Sequence, residues 1–144
     1  MSFSIEPAQP TDLAAILDLL QSHRLPRAQV ERHLDTAIVA REGGRLAGCA
    51  VLEPYGAAGL LRSVAVAQSQ RGLGVGIRLT EAAVALAQAQ GIKALYLLTE
   101  TAAGFFPRFG FRPVTRDEVA PAVRQSIEFT RACPASALAM VKDL

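Results

Sequence analysis

Three glycines stand at alternate positions in the segment RGLGVG, residues 71–76, directly before an apolar stretch of helical periodicity. Amide groups at a helix N-terminus attract anionic oxygens, and residues without side chains let a phosphate approach the backbone. Arg71 adds a charged donor at the rim of such a loop. This pattern favours the binding of a phosphate-containing ligand, and a glycine-rich turn that packs tightly on a sheet is the alternative.

Two common phosphate-binding motifs do not fit this glycine loop. A Walker-type loop requires a lysine after its last glycine, and none follows here. A dinucleotide-binding G-x-G-x-x-G motif that begins at Gly72 would need a third glycine where the chain has Ile77. Glu100, at the end of the next predicted strand, stands where an acidic ribose ligand is found in dinucleotide-binding folds. An oxidoreductase that uses a dinucleotide is therefore an alternative that Ile77 disfavours.

The order of predicted elements indicates an α/β domain without repeated βαβ units. A hairpin joins the second and third strands, which favours a mixed sheet with an antiparallel first half. No linker or repeat divides the chain, so we expect a single domain over residues 1–144. The predicted strands cover residues 3–8, 36–42, 45–53, 58–67, 93–99, 111–114 and 136–144, and the predicted helices begin at Thr11 or Asp12, behind Pro26, at Val75 and at Arg116.

Composition and charge narrow the classes of function. Of the 144 residues, 51% are hydrophobic and 19% are charged, and the formal net charge is +2. The Lys and Arg residues form no basic run, so we expect no nucleic-acid partner. No apolar stretch approaches the length of about 18 residues that a membrane helix needs, and no signal-peptide pattern opens the chain. We therefore expect a cytoplasmic protein without a metal site, and a small apolar residue is the default role for both Cys49 and Cys133.

The segment VAVAQSQRGLGVGIRLTEAAVALAQAQG, residues 64–91, resembles the acyl-CoA-binding segment of GCN5-related N-acetyltransferases (GNAT). That family's [Q/R]-x-x-G-x-[G/A] signature falls on Arg71, Gly74 and Gly76. The resemblance extends over nearly the whole chain and includes FFPRFGF, residues 105–111. It implies a single GNAT-like domain whose mixed sheet has splayed middle strands and helices on both faces, with acetyl-CoA as the cosubstrate.

The same resemblance implies which residues hold acetyl-CoA. Amides of the glycine loop would bind the pyrophosphate, and the strand before the loop would pair with the pantetheine arm. Phe106 completes the set, at the position where many family members have a tyrosine that protonates the departing thiolate. Solvent or another group must therefore supply that proton here. The cofactor-binding residues so implied are Val64, Ala65, Val66, Arg71, Gly72, Leu73, Gly74, Val75, Gly76, Ile77 and Phe106.

A narrower resemblance concerns the acceptor. Residues 59–66, 95–111 and 127–142 look like the small acetyltransferases associated with arsenic-resistance operons. The segments LLTETA and CPASA are also similar to the acetyltransferase domain of bacterial N-acetylglutamate synthases. Both resemblances imply an amine beside a carboxylate or a similar oxyanion. Arg62 is expected to bind that oxyanion bidentately, and an exposed arginine at a strand edge is the alternative.

Further polar residues are candidates for the chemistry at the amine. The acceptor must be a neutral amine to attack, so a base has to remove a proton from its ammonium form. Each candidate could instead be an ordinary solvated or capping residue. Glu100 and Ser126 are expected to be catalytic, and Glu53, Glu128 and Cys133 to bind the acceptor.

These observations favour an N-acetyltransferase that acts on a small amino-acid-like amine, which includes an arsenic-containing amino acid. A non-catalytic acetyl-CoA-binding module is an alternative because the usual tyrosine is missing. An amino-acid N-acetyltransferase of the N-acetylglutamate synthase type is another. The high hydrophobic fraction also favours a homodimer, in which two chains share apolar surface.

Overall fold

A seven-stranded mixed sheet carries the fold in the computed structural model, which describes residues 3–132 and 136–144. Its strands follow the order β1-β2-β3-β4-β5-β7-β6 across the sheet. The strands are β1 Ser4–Pro7, β2 Ala37–Glu42, β3 Arg45–Tyr55, β4 Ala58–Val66, β5 Ala94–Thr99, β6 Arg112–Val114 and β7 Leu138–Asp143, and the α-helices are α1 Leu13–Ser22 and α2 Val75–Ala89.

The two middle strands pair over a short distance and then diverge. All neighbouring strands are antiparallel except β4 and β5, which are parallel. The parallel pairing extends only from Ala58 opposite Ala94 to Leu60 opposite Tyr96. Both strands continue beyond that point, β4 to Val66 and β5 to Thr99, without pairing to each other. The predictions of an antiparallel first half and of splayed middle strands are confirmed.

Helices cover both faces of the sheet because successive strand residues point to opposite sides. Ile16 and Leu20 of α1 pack with Val39 and Val51 of the sheet. On the other face, α2 packs with the alternate strand residues, among them Ile38, Ala40, Ala50 and Leu52. The prediction of helices on both faces is therefore confirmed.

Helix α2 lies close to the sheet. Val75, Leu79, Ala83 and Ala87 recur every four residues and are all buried, which explains the amphipathic pattern of the sequence. A Cβ atom added to Gly48 of β3 would lie only 2.8 Å from the Ala65 carbonyl oxygen and 2.8 Å from Leu79 Cδ1. Only glycine at this position lets the helix and the neighbouring strand approach so closely.

Two predicted helices differ in the structure. The segment behind Pro26 forms a 3₁₀ stretch, Val30–Thr36, in which His33 has non-helical dihedral angles. The predicted polar helix from Arg116 consists of three short turns instead: Arg116–Glu118, Val123–Gln125 and Glu128–Ala132. Pro121 interrupts it, and the segment lies against the sheet through Val119 and Val123, which belong to a third apolar cluster. In the described part of the chain, none of the helices has the length and apolar character needed to cross a membrane.

Candidate active site

A cleft of about 1340 Å³ opens where the pairing of β4 with β5 ends. Its walls come from the diverging parts of these strands, from the glycine loop and from the end of α1. Leu73 belongs to the predicted cofactor-binding set, but it is 46% exposed and does not line the cleft. The other members of that set line it: Val64, Ala65, Val66, Arg71, Gly72, Gly74, Val75, Gly76, Ile77 and Phe106.

The glycine loop starts α2 with backbone that side chains disfavour. Gly72 and Gly74 have φ angles of 82° and 80°, a region in which L-residues with a Cβ are strained. Gly74 is the N-cap residue, and no side chain caps this end of the helix. The first amide N–H groups of the helix, at residues 75–77, therefore have no acceptor within it. Uncapped amides beside Arg71 fit an anionic phosphate.

Gly76 keeps the loop in contact with the opposite wall. A Cβ atom added there would lie 3.4 Å from Val66 Cγ2 and 3.6 Å from Phe105 Cζ. These are ordinary van der Waals distances, so a larger side chain at this position would fill the space between the walls. The residues present thus form a cradle that fits a ligand with phosphates at one end of the cleft.

Strand β4 is irregular beside the cleft. Its register with β3 shifts between Cys49 and Val51, so that β4 contains one extra residue there. Ser63 lies in this bulge with a φ of 59°, and its carbonyl accepts a hydrogen bond from Cys49 Sγ at 3.2 Å. A bulge changes the direction of backbone groups on its strand. Because β5 has diverged, the edge of β4 beyond Leu60 faces the cleft without a strand partner.

Arg62, also on β4, is buried in a network of acceptors. Its side chain has 0% exposure, and its Nη1 donates to Glu53 Oε2 at 3.0 Å and to the Ala28 carbonyl at 2.8 Å. Nη2 donates to the Pro26 carbonyl at 3.2 Å, and Nε donates to Ser63 Oγ at 3.0 Å. All three guanidinium nitrogens therefore have protein acceptors, although Arg62 lines the cleft.

The network extends to the C-terminal segment. Glu128 Oε2 lies 3.5 Å from Arg62 Nη2. The Ser126 side chain hydrogen-bonds to Glu53, and its Oγ accepts the Glu128 N–H at 3.2 Å. Tyr55 Oη donates to Glu53 Oε1 at 2.5 Å, and His33 Nε2 lies 3.7 Å from Glu53 Oε2.

This environment sets the charge states of the network. Burial alone would raise the pKa of Glu53, but hydrogen bonds from Tyr55, Ser126 and Arg62 outweigh burial and hold the pKa below the ordinary glutamate value. Burial and the bond to Glu53 raise the pKa of Tyr55 to about 12. Glu53 is therefore a carboxylate at neutral pH, and Tyr55 stays a protonated donor.

The structure thus brings together four residues predicted to act at the acceptor end: Glu53, Arg62, Ser126 and Glu128. Only Arg62 and Glu128 of these line the cleft. Glu100 lines it separately as an exposed side chain, and Cys133 lies outside the described residues.

Two members of the network were not predicted. Tyr55 follows Glu53 by two residues on one strand, a spacing that places both side chains on the same face and could have indicated the contact. His33 comes from the irregular Val30–Thr36 stretch, and no sequence pattern pointed to it.

The described part of the chain contains neither a metal site nor a reactive cysteine. No group of three or more His, Cys, Asp or Glu side chains in residues 3–132 and 136–144 could hold a metal ion. Cys49 is fully buried, and burial raises the pKa of its thiol to about 12. It is therefore an inert packing residue rather than a nucleophile.

The chain matches a known domain family. The description "Acetyltransferase (GNAT) domain" fits residues 33–113, which is more than half of the 144 residues. This match includes β2 to β5, the glycine loop and α2.

Curated relatives are much longer proteins. An amino-acid acetyltransferase of Pseudomonas fluorescens (strain Pf0-1) is 31% identical over 132 residues, which are 85% of this chain and 30% of that protein. An amino-acid acetyltransferase of Ralstonia nicotianae is 34% identical over 95 residues, which are 65% of this chain and 21% of that protein. The chain therefore spans less than a third of the length of these relatives.

Solved structures share the fold. Rv2747 from Mycobacterium tuberculosis, in a complex that contains CoA, superposes with a TM-score of 0.83 at 21% identity, covering 98% of this chain and 99% of that one. N-acetylglutamate synthase from Neisseria gonorrhoeae, complexed with coenzyme A and N-acetyl-glutamate, gives a TM-score of 0.83 at 24% identity. That match covers all of this chain and 35% of the synthase. At these identities the likeness shows the fold alone.

Proposed function

Since the chain belongs to the GNAT family of acetyltransferases, we propose that it transfers the acetyl group of acetyl-CoA to the amine of a small amino-acid-like acceptor. One observation carries this proposal. A single cleft joins the uncapped glycine loop to the gap between β4 and β5, and the buried Glu53–Arg62–Glu128 network borders it.

The cofactor end of the cleft fits the phosphates and the pantetheine arm. Amides of residues 75–77 and the side chain of Arg71 would bind the pyrophosphate. The free edge of β4 at Val64 to Val66 offers backbone groups to the amide-containing arm. When bound, acetyl-CoA supplies an activated thioester carbonyl.

The buried network that borders the acceptor end is net negative, which suits an ammonium group. Glu53 and Glu128 contribute two negative charges and Arg62 one positive charge, so the network sums to −1. We assign Arg62 the role of holding Glu128 and the Pro26 and Ala28 carbonyls in place. An acceptor carboxylate could bind Arg62 only by replacing one of these partners, so Arg62 is not assigned to the acceptor oxyanion.

The remaining predicted residues divide into two roles. Ser126 supports Glu53 from within the network, whereas Glu100 is exposed in the cleft and can bind or deprotonate an ammonium group. Phe106 is buried against the Phe111 ring at 5.8 Å between centroids and contributes an apolar wall without a proton to donate. We therefore propose that solvent protonates the thiolate.

The acceptor itself is proposed by analogy. The amino-acid acetyltransferases and the N-acetylglutamate synthase that resemble this chain make L-glutamate the first acceptor to test. The proposal that the acceptor is an arsenic-containing amino acid rests on the sequence resemblance alone. A non-catalytic acetyl-CoA-binding module is the competing function.

A screen of acceptor amines tests the proposal. The purified protein is mixed with acetyl-CoA and one amine at a time, and released CoA thiol is measured; L-glutamate, the other amino acids and an arsenic-containing amino acid form the panel. We expect amine-dependent thiol release with at least one amino-acid-like acceptor. Binding of acetyl-CoA without amine-dependent release would favour the binding module instead.

A further inference from the structure

His23 is a cleft residue that neither the predicted site nor the Glu53 network includes. It follows α1 as its C-terminal cap and is half-buried in the cleft wall. Its Nδ1 lies 3.0 Å from the Leu19 carbonyl oxygen and 3.0 Å from Ser22 Oγ. Its Nε2 is buried and has no hydrogen-bond partner among the described residues.

The contacts of Nδ1 determine which ring nitrogen carries the proton. A carbonyl oxygen can only accept, so the contact with Leu19 is favourable only in the tautomer whose Nδ1 carries the proton, and we assign that tautomer to His23. The Ser22 hydroxyl gives its own proton to the same carbonyl at 2.7 Å, which leaves its oxygen able to accept as well. In the neutral imidazole, Nε2 therefore holds a lone pair. A buried acceptor without a donor is unfavourable, so a donor that reaches Nε2 from the adjoining cleft, past the atoms that cover it in this structure, would be stabilised.

We propose that this donor is the acceptor ammonium and that His23 is the general base of the reaction. This inference rests on the proposed acetyl transfer. Nε2 takes one proton from R–NH₃⁺, which gives R–NH₂ and an imidazolium that later loses its proton to solvent. The electron pair of the former N–H bond stays on the amine nitrogen, which is then the nucleophile. The Leu19 carbonyl and Ser22 hold the ring so that Nε2 keeps its lone pair.

Other charged groups of the cleft favour this assignment. Among the described residues, the titratable side chains that line it together with His23 are Arg24, Arg62, Arg71, Glu100 and Glu128. The three arginines already carry all their protons and cannot accept another one. Glu128 lies against Arg62. Glu100 is exposed to solvent, whereas Nε2 of His23 is buried without a partner among the described residues.

The variant His23→Asn removes the proposed base but keeps the hydrogen bond that positions the side chain. Its amide N–H can still donate to the Leu19 carbonyl, but the second nitrogen is lost. We expect kcat/KM for the best acceptor of the panel to fall about a hundredfold at neutral pH, with acetyl-CoA affinity unchanged. The loss should shrink as the pH rises through the pKa of the acceptor amine, because the free amine then needs no base. Asp18→Asn, an exposed change on the same helix, serves as the control.

A uniform loss at every pH, or no loss, in an otherwise active enzyme would overturn the role of His23 without touching the proposed transfer. A second readout does not need turnover. The chain has two histidines, so ¹⁵N imidazole spectra can be assigned with His23→Asn. We expect an Nδ1-protonated ring whose Nε2 signal shifts when L-glutamate is added to the acetyl-CoA complex. An Nε2-protonated ring would overturn the proposal, and so would unchanged spectra with L-glutamate and with every other amine of the panel.

Discussion

At the acceptor end, the energetic effect of removing a charged residue depends on how deeply that residue is buried. Arg62 has 0% side-chain exposure and lies against two carboxylates, whereas Arg112 pairs with Asp143 at 3.4 Å on the surface. A buried charge that loses its partner keeps its desolvation cost, and an exposed one is returned to water. The sequence indicated Arg62, Glu53, Ser126 and Glu128 as polar residues with a role, but not that they contact one another. Those contacts depend on the pairing of β3 with β4 and on the packing of the C-terminal segment, which no local pattern encodes.

The arginine comparison gives a stability prediction. Arg62→Ala leaves Glu53 and Glu128 buried without their cation, so we expect a loss of about 3–5 kcal/mol in the free energy of unfolding. Arg112→Ala removes the exposed pair with Asp143 and should cost about 0–1 kcal/mol. Urea denaturation of both variants measures the difference. Equal, small losses would show that the Arg62 network does not hold the fold.

Glu53 predicts a pH dependence of stability. Because its pKa is lowered in the folded state, it binds protons less readily there than in the unfolded chain. Its contribution is fully present above the unfolded glutamate value of about 4.3 and is lost as the pH falls through the lower folded value. We expect the unfolding free energy to fall below about pH 4.3 less steeply in Glu53→Gln than in wild type. Identical pH profiles would exclude this linkage.

At the scale of elements, the helices and strands that are marked by a local sequence pattern were predicted correctly. The periodic apolar residues of α2 and the hairpin glycines gave correct elements, since these signals are local. The divergence of β4 from β5 was implied by the family resemblance and is confirmed. The helix predicted from Arg116 was wrong because burial of Val119 and Val123 against the sheet overrides the polar pattern.

The start of α2 gives a matched pair of glycine variants. Gly74 and Gly91 both have a φ of 80°, and an added Cβ would meet nothing within 4 Å at either position. Alanine should therefore strain both sites by a similar amount, about 1–2 kcal/mol. Only Gly74 lies at the cleft, so Gly74→Ala should raise the Kd for acetyl-CoA about tenfold, or 1.4 kcal/mol, while Gly91→Ala leaves it unchanged. Calorimetric titration measures both constants, and an equal Kd in the two variants would exclude the glycine loop as the phosphate site.

At the scale of the whole molecule, the family match confirms the predicted membership of the GNAT acetyltransferase family. The predicted α/β fold is also confirmed by its likeness to solved structures. The residues assigned to the site and the resemblance to arsenic-resistance acetyltransferases stay predictions. Both concern the acceptor, which is recognised by side chains whose contacts the fold does not determine.

The homodimer also stays a prediction. The accessible surface of 7429 Å² is close to the roughly 7100 Å² expected for a compact monomer of this mass. Among the described residues, the large hydrophobic side chains that stay exposed are Leu73 and Ile77, both beside the glycine loop. Light scattering should give twice the chain mass of 15.3 kDa if two chains associate. A mass of one chain at micromolar concentration would contradict the dimer.

Transfer of an isotopically labelled acetyl group tests the central claim most directly. Acetyl-CoA with a ¹³C-labelled acetyl group is incubated with the protein and the best acceptor amine, and the products are identified by mass spectrometry. We predict that the label appears in the N-acetylated amine, with one CoA released for each product, and that Gly74→Ala slows its formation at subsaturating acetyl-CoA. Label found only in free acetate, or only in unreacted acetyl-CoA that the protein nevertheless binds, would contradict an N-acetyltransferase.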